Sequence, residues 1–146
     1  MPHPDDDVAQ LWLLTRRVAG LMDRSGEALF RSSLGISMAQ FLVLSVVDAH
    51  PGRLNQQTVA DRLGLTKGTV SRQIDAAVAA GLMTVEVSPE SRREHLVALT
   101  PQGTRLVRRG DKLVDREQLT AMPQLSAEDL AATLRVLRAV NAALDA

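Results

Sequence analysis

Three features of this 146-residue sequence predict a mainly α-helical fold that carries one two-stranded β-hairpin. Apolar residues recur at steps of three and four through most of the chain, and cap residues stand ahead of the runs. After the fourth run the period changes to two short, β-branched-rich stretches on either side of a polar turn. Aromatic poverty agrees with both. One Trp, two Phe and no Tyr leave Leu, Val, Ile, Met and Ala to build the core, and these pack more readily between helices than in a small all-β sandwich. The length suits a single domain with a substantial core.

The first helix carries Val8, Leu11, Trp12, Leu14, Val18, Leu21, Met22 and Leu29 and should reach about Phe30. Asp5, Asp6 and Asp7 stand at its start, where carboxylates oppose the helix dipole favourably. Ser37 and Gln40 then form a capping-box pattern ahead of "FLVLSVV", whose nearly all-round hydrophobicity predicts a central buried helix stopped by Pro51 and Gly52. A short third helix starts from Asn55 as N-cap, turns Val59, Ala60 and Leu63 inward and ends at Gly64. Thr66 caps the fourth, which runs to Gly81; glycine at C′ with Leu82 beyond it fits a Schellman stop.

"MTVEV" and "EHLVALT", separated by "SPESRR", read as a hairpin with a polar, basic tip. Thr100 followed by Pro101 restarts helix, with Leu106, Val107, Leu113, Val114 and Leu119 leading toward Met122 and a break at Pro123. Ser126 with Asp129 opens a sixth helix that carries Leu130, Leu134, Leu137, Val140 and Leu144. Helix, short turn, helix and hairpin over residues 54–100 match a winged helix-turn-helix. The flanking segments, residues 1–36 and 101–146, have apolar stripes at opposite ends of the chain. The economical way to bury them is against one another and a second subunit's copies, as a dimerisation region.

Composition narrows the function. With no cysteine there are no disulfides, thiolate nucleophiles or zinc ribbons, and a reducing cytoplasm is the simplest setting. The acidic start "MPHPDDDVAQ" is unlike a secretory signal, and no apolar run approaches the roughly 20 residues that span a membrane. Seventeen basic residues balance seventeen acidic ones, so an anionic partner has to be met by a local patch. His3, His50 and His95 lack metal-ligand spacing, and no nucleophile elbow, phosphate-binding loop or dinucleotide fingerprint appears. We therefore expect no metal, no cofactor and no catalysis.

The fourth helix is the informative one. At 100° per residue, Val70, Ile74, Ala77 and Val78 share one side, while Gly68, Thr69, Arg72, Asp75 and Ala76 lie broadly opposite with Ser71 at the edge. Lys67 sits in the first turn, where the dipole disfavours cations, and Gly68 costs up to ~1 kcal/mol relative to Ala. Neither helps an isolated helix. Both suit a helix N-terminus that approaches an anionic surface closely, because backbone N–H groups and basic side chains can then meet phosphates. Arg72 has the geometry to pair with the O6 and N7 of guanine in a major groove.

The stretch "TVADRLGLTKGTVSRQIDAAVAAGLMTVEVSPESRREHLVALTPQG", residues 58–103, resembles the MarR family of winged helix-turn-helix transcription regulators. It is similar to the family's succession of helix, recognition helix, "GL" stop, wing and "LTPxG" restart. The resemblance implies a homodimer on pseudo-palindromic double-stranded operator DNA, with the fourth helix in the major groove and the wing at phosphates or the minor groove. It would turn Thr66, Lys67, Gly68, Thr69, Ser71 and Arg72 toward DNA, put Arg92 and Arg93 at the wing tip, and let Asn55 and Gln56 add phosphate contacts. Plain N-capping accounts for Asn55 equally well. Two positions depart from the family's pattern: Ser91 stands where an acidic brace for the wing arginine is common, and Val85 and Glu86 stand where basic residues are common. These departures keep open an alternative, a protein-interaction module on the same fold with weakened DNA binding.

The resemblance also implies a repressor released by a small amphipathic or phenolic effector. Trp12, Met22, Phe30, Met38 and Phe41 are the candidate lining residues, with an ordinary core role as the competing reading of each.

Overall fold

The structure is a computed structural model that describes residues 6–50, 54–121 and 124–145, with side chains 118–121 left aside. Asp5, His3, the expected helix stops at Pro51, Gly52 and Pro123, and Met122 lie outside the described residues. The chain runs α1 (Asp7–Leu34), α2 (Met38–Asp48), β1 (Leu54–Asn55), α3 (Gln56–Leu63), α4 (Lys67–Ala79), β2 (Met83–Val87), β3 (His95–Leu99), α5 (Pro101–Ala121) and α6 (Ala127–Leu144). Its contacts cluster into two units, Met1–Asp111 and Lys112–Ala146, so the division falls within α5.

The caps follow the local chemistry of the sequence. Ser37, Asn55, Thr66 and Ser126 each adopt extended backbone and accept the N–H three residues on, from Gln40, Thr58, Thr69 and Asp129 respectively. Asp6 caps α1 by accepting from Val8 N. At the end of α4, Gly81 takes φ 73°, Gly81 N donates to Val78 O and Leu82 N donates to Ala77 O, the paired bonds of a Schellman stop. Helix α1 runs one turn beyond the expected end at Phe30. Nothing breaks it before Gly35, which enters the left-handed region at φ 71° and donates to Arg31 O.

In the first unit α2 is the hub, packed against α1, α3, α4 and β3. Phe41, Val43, Leu44 and Val47 on α2 are buried with Val59 and Ala60 of α3, Val70, Ile74 and Ala77 of α4, and Val97 of β3. Leu44 and Ile74 are fully buried, and each contributes roughly 1.5–3 kcal/mol of transfer free energy. The sheet has one strand more than the expected hairpin. β1 pairs antiparallel with β3 (Leu54↔Val97, Asn55↔Leu96), and β2 pairs with β3's other edge from Met83↔Leu99 to Val87↔His95, giving the order β1-β3-β2. This third strand ties the start of α3 to the wing.

The start of α5 closes the unit. Thr100 N donates to Leu82 O at 3.0 Å, its hydroxyl donates to Gly81 O at 2.7 Å, and the same oxygen accepts from Gly103 N. Gly103 lies so close to the Leu82 carbonyl, and Gly110 to the Phe41 ring, that a Cβ at either would overlap its neighbour. Leu106 and Val107 are buried between those two glycines. Arg108 reaches Asp48 at 2.8 Å, an exposed ion pair of small energetic value.

The apolar residues that the periodicity assigns to the inner side of α1 are exposed in the single chain. Val8, Leu11, Trp12, Leu14, Val18, Leu21 and Met22 all are, and Trp12 keeps 54% of its surface. Within the second unit, Leu130, Leu134, Leu137 and Leu144 of α6 are exposed likewise. Two long helices thus present apolar stripes to solvent.

Replacing Gly110 by Ala should destabilise the fold by on the order of 1–3 kcal/mol, because the added methyl meets a ring already stacked on Phe30. That overlap exceeds the gain in helix propensity of about 1 kcal/mol. A denaturant titration should show a lower midpoint with an unchanged slope.

Candidate functional site

The exposed end of α4 is built by its own cap. Thr66 Oγ1 accepts from Thr69 N at 3.2 Å and shares a hydrogen bond with Thr69 Oγ1 at 2.9 Å, and Arg72 Nη2 donates to Thr69 Oγ1 at 3.4 Å. Thr66, Thr69 and Arg72 thus form a polar line along one face at steps of three residues. The guanidinium is held along the helix and keeps further donors exposed. Lys67 and Gly68 complete the tip, both exposed. A Cβ on Gly68 would meet nothing within 4 Å, and its φ is not in the left-handed region, so neither packing nor backbone requires glycine there.

Behind this face Val70, Ile74 and Ala77 anchor the helix in the core. Val78, expected with them, is 41% exposed. One step beyond Ala77, it turns toward a groove of about 550 Å³ between α4 and the wing, lined by Gln56, Ser71, Asp75, Val78, Val85 and His95 among others. Gln56 and Ser71, predicted as contact residues, are therefore brought together at this groove.

Asn55 is engaged within the chain through both ends of its amide. Its Oδ1 accepts from Thr58 N and Thr58 Oγ1, both at 2.8 Å, and its Nδ2 donates to Glu94. Capping, with a wing contact, accounts for its polar atoms. Arg92 and Arg93 are exposed on the turn between β2 and β3, and their guanidinium groups have no ion-pair partner among the described residues. The hydroxyl oxygen of Ser91, at the position of the missing acidic brace, accepts from Arg93's backbone N–H at 3.4 Å.

A second groove, of about 680 Å³, opens between α1, α2 and the α3–α4 turn. Apolar Ala28, Met38, Ala39, Leu42, Leu63 and Leu65 line it, with Asp23, Arg24 and Glu27 on its polar side. Of the five candidate effector residues only Met38 lies here. Phe30 and Phe41 are core instead, stacked with ring centroids 4.5 Å apart, because both rings point into the α1–α2 contact. Trp12 and Met22 stay on the exposed stripe of α1. Sequence reasoning missed the polar side. Glu27 Oε2 accepts from Met38 N at 2.9 Å, adding a second cap to α2 from eleven residues away, and its other oxygen pairs with Arg31. The Met38 N–H, with help from Arg31, holds the Glu27 carboxyl below the usual range.

Among the described residues no group of three His, Cys, Asp or Glu side chains is placed to hold a metal ion. No single helix among them is long and apolar enough to cross a membrane.

Residues 34–94, from the end of α1 to the wing turn, match the MarR family. The chain belongs to the MarR family of transcription regulators. The six helices and small antiparallel sheet among the described residues are the winged-helix architecture of that family. It is similar to the PcaV transcriptional regulator of Streptomyces coelicolor in complex with its natural ligand, at 26% identity and TM-score 0.79 over 99% of both chains. It is also similar to MepR of S. aureus in complex with DNA, at 25% identity and TM-score 0.81, over 90% of this chain and 96% of that one. An uncharacterized protein of Mycobacterium tuberculosis is 33% identical over 102 residues, 70% of this chain and 69% of that protein. Of these two solved neighbours, one was thus determined with DNA and the other with its natural ligand.

Because the Glu27 carboxylate has a lowered folded pKa, its stabilisation is fully present above the unfolded value and is lost as pH falls through the folded one. Wild type should therefore be more stable than Glu27→Gln at pH 7. Thermal melts should show that gap closing below about pH 4, where the unfolded carboxyl protonates.

Proposed function

We propose that this MarR-family protein is a sequence-specific double-stranded DNA-binding transcription regulator, a homodimeric repressor whose grip on a pseudo-palindromic operator is released by a small amphipathic or phenolic ligand. The observation that carries this reading is the exposed tip of α4, where Lys67 and Gly68 stand beside the Thr66, Thr69 and Arg72 line. A glycine that the fold does not need, next to a cation that the dipole disfavours, is explained by close approach of a phosphate backbone. The likeness to a relative solved with DNA supports the same reading.

In this reading α4 enters the major groove, Arg72 reads a guanine edge, and Arg93 reaches from the wing to phosphates or the minor groove. The apolar stripes of α1 and α6 are covered by a second copy, since stripes of this length are costly to leave in water. The groove between α1, α2 and the α3–α4 turn holds the effector. A ligand wedged there shifts α3 and α4 relative to α1, and operator affinity falls because both half-sites must be met at once. The likeness to a relative solved with its natural ligand supports a regulator that answers to a ligand. We assign no catalytic role.

A second reading is favoured by a specific feature. Val78, Val85 and Val87 are exposed on α4 and β2, an apolar patch that suits a protein partner better than a phosphate backbone. A complex with another protein whose formation ignores salt would support it, whereas DNA binding must weaken steeply as salt rises.

Selection of bound duplexes from a random library at low salt tests the proposal, and recovery of no enriched sequence would sink it. On an enriched operator, Arg72→Ala should cost about 1–3 kcal/mol and relax preference at one position per half-site. Arg93→Ala should instead weaken binding to all sequences and reduce the salt slope by about one. Gly68→Ala should leave the fold equally or more stable, by up to about 1 kcal/mol, yet bind the operator less tightly. Melting and anisotropy measurements on the same preparation separate its two effects.

A further inference from the structure

We infer that Glu94 is a positioning residue for the wing, replacing the acidic brace absent at Ser91 with a hydrogen bond to the helix cap Asn55. The inference rests on the DNA-binding reading above, and it concerns how Arg93 is aimed. The turn between β2 and β3 is held at its base by two backbone bonds through Glu94, from Ser88 N to Glu94 O at 2.8 Å and from Glu94 N to Ser91 O at 3.2 Å. Both lie within the wing, whose backbone tie to α3, the β1–β3 pairing, reaches only as far as Asn55↔Leu96, two residues short of Glu94. The Glu94 side chain adds a link nearer the tip. Its Oε1 accepts from Asn55 Nδ2 at 2.5 Å, thirty-nine residues away in sequence.

Asn55 is a rigid partner for that bond. Its Oδ1 is committed to Thr58 N and Oγ1 at the start of α3, and its backbone lies in β1 opposite Leu96. One amide therefore joins the α3 cap, the short strand and the wing. Both side chains are half-buried, where a charge-assisted bond is screened less than on an open surface. Arg93 directly precedes Glu94 and is exposed without an acidic partner of its own among the described residues. Fixing residue 94 thus fixes the direction from which the arginine leaves the wing. The arrangement has a cost, since it keeps a carboxylate on the side of the lobe that meets phosphates. A negative charge retained there is explained by its role in positioning.

The test uses the full-length protein, anisotropy on a duplex enriched by the wild type, and hydrogen exchange at Ser88 N–H. Glu94→Gln keeps an acceptor and removes the charge, so it should bind at least as tightly as wild type and retain the full Arg93→Ala penalty, on the order of tenfold. Glu94→Ala removes the same charge but also the bond, so the Arg93→Ala penalty in that background should fall below about threefold. Charge alone predicts that the two variants behave alike.

Asn55→Asp keeps a good helix cap but loses the donor and sets two carboxylates together, so it should weaken binding. Adding Glu94→Gln to it restores one donor and one acceptor with their direction reversed, at unchanged net charge. That double variant should recover wild-type affinity to within about twofold and the full Arg93 penalty. Exchange at Ser88 should quicken in Glu94→Ala and Asn55→Asp and return to the wild-type rate in the double variant. An undiminished Arg93 penalty in Glu94→Ala, or unchanged Ser88 exchange in both single variants, overturns the brace. If wild type enriches no duplex, the DNA-binding reading has failed instead, and the exchange rates alone decide whether Glu94 holds the wing.

Discussion

The lobe depends on one closure, the seating of Thr100 and Gly103 against the Gly81–Leu82 peptide. At that point α4 has just ended, β2 is about to begin, and the chain returning from β3 turns into α5. Thr100 satisfies the Gly81 and Leu82 carbonyls that the Schellman turn leaves pointing outward, and then caps the next helix with the same hydroxyl. The absence of a side chain at Gly103 lets the new helix lie directly on the peptide it closes. Three elements are registered by a few polar groups, so the angle between α4 and the wing is set first at its root. Exposed residues at both tips can then be chosen for what they meet outside the protein.

The same economy runs through the core. Phe30 and Phe41, the only two phenylalanines, stack on each other, and Gly110 of α5 lies against the Phe41 ring. With so few aromatics, close backbone approach replaces bulk: α5 reaches α2 because a side chain is missing, and the aliphatic residues of α2, α3 and α4 fill the rest. The groove between α1, α2 and the α3–α4 turn is left at the margin of this packing, bordered by the charges of Asp23, Arg24 and Glu27.

Features decided within a few residues were legible in the sequence. Ser37, Asn55, Thr66 and Ser126 each needed only an N–H three positions away, and the stop at Gly81 needed only a glycine followed by Leu82. The amphipathic placement of Thr69 and Arg72 opposite Val70 and Ile74 was legible for the same reason, while Val78 lay at the margin where α4 leaves its neighbours. Features decided at a distance were not legible. β1 is a strand only because Leu96 and Val97 come back to pair with it, and Glu27 caps α2 only because the α1–α2 corner folds tightly. Periodicity placed Phe30 and Phe41 on helices but could not say that each ring's neighbour would be the other. The link between Asn55 and Glu94 belongs with these, since neither residue carries a local sign of the other.

The exposed stripes of α1 and α6 bear on the life of the chain as it is made. Val8, Leu11, Trp12, Leu14 and Val18 are made before the lobe that follows them in the chain, and the single folded chain still leaves them in water. Under the dimeric reading, the stability of each copy depends on how many others are present, because association stabilises only the assembled form and does so by mass action. A scarce regulator would be short-lived and an abundant one protected, which gives the protein a sensitivity to its own dosage before any operator is involved.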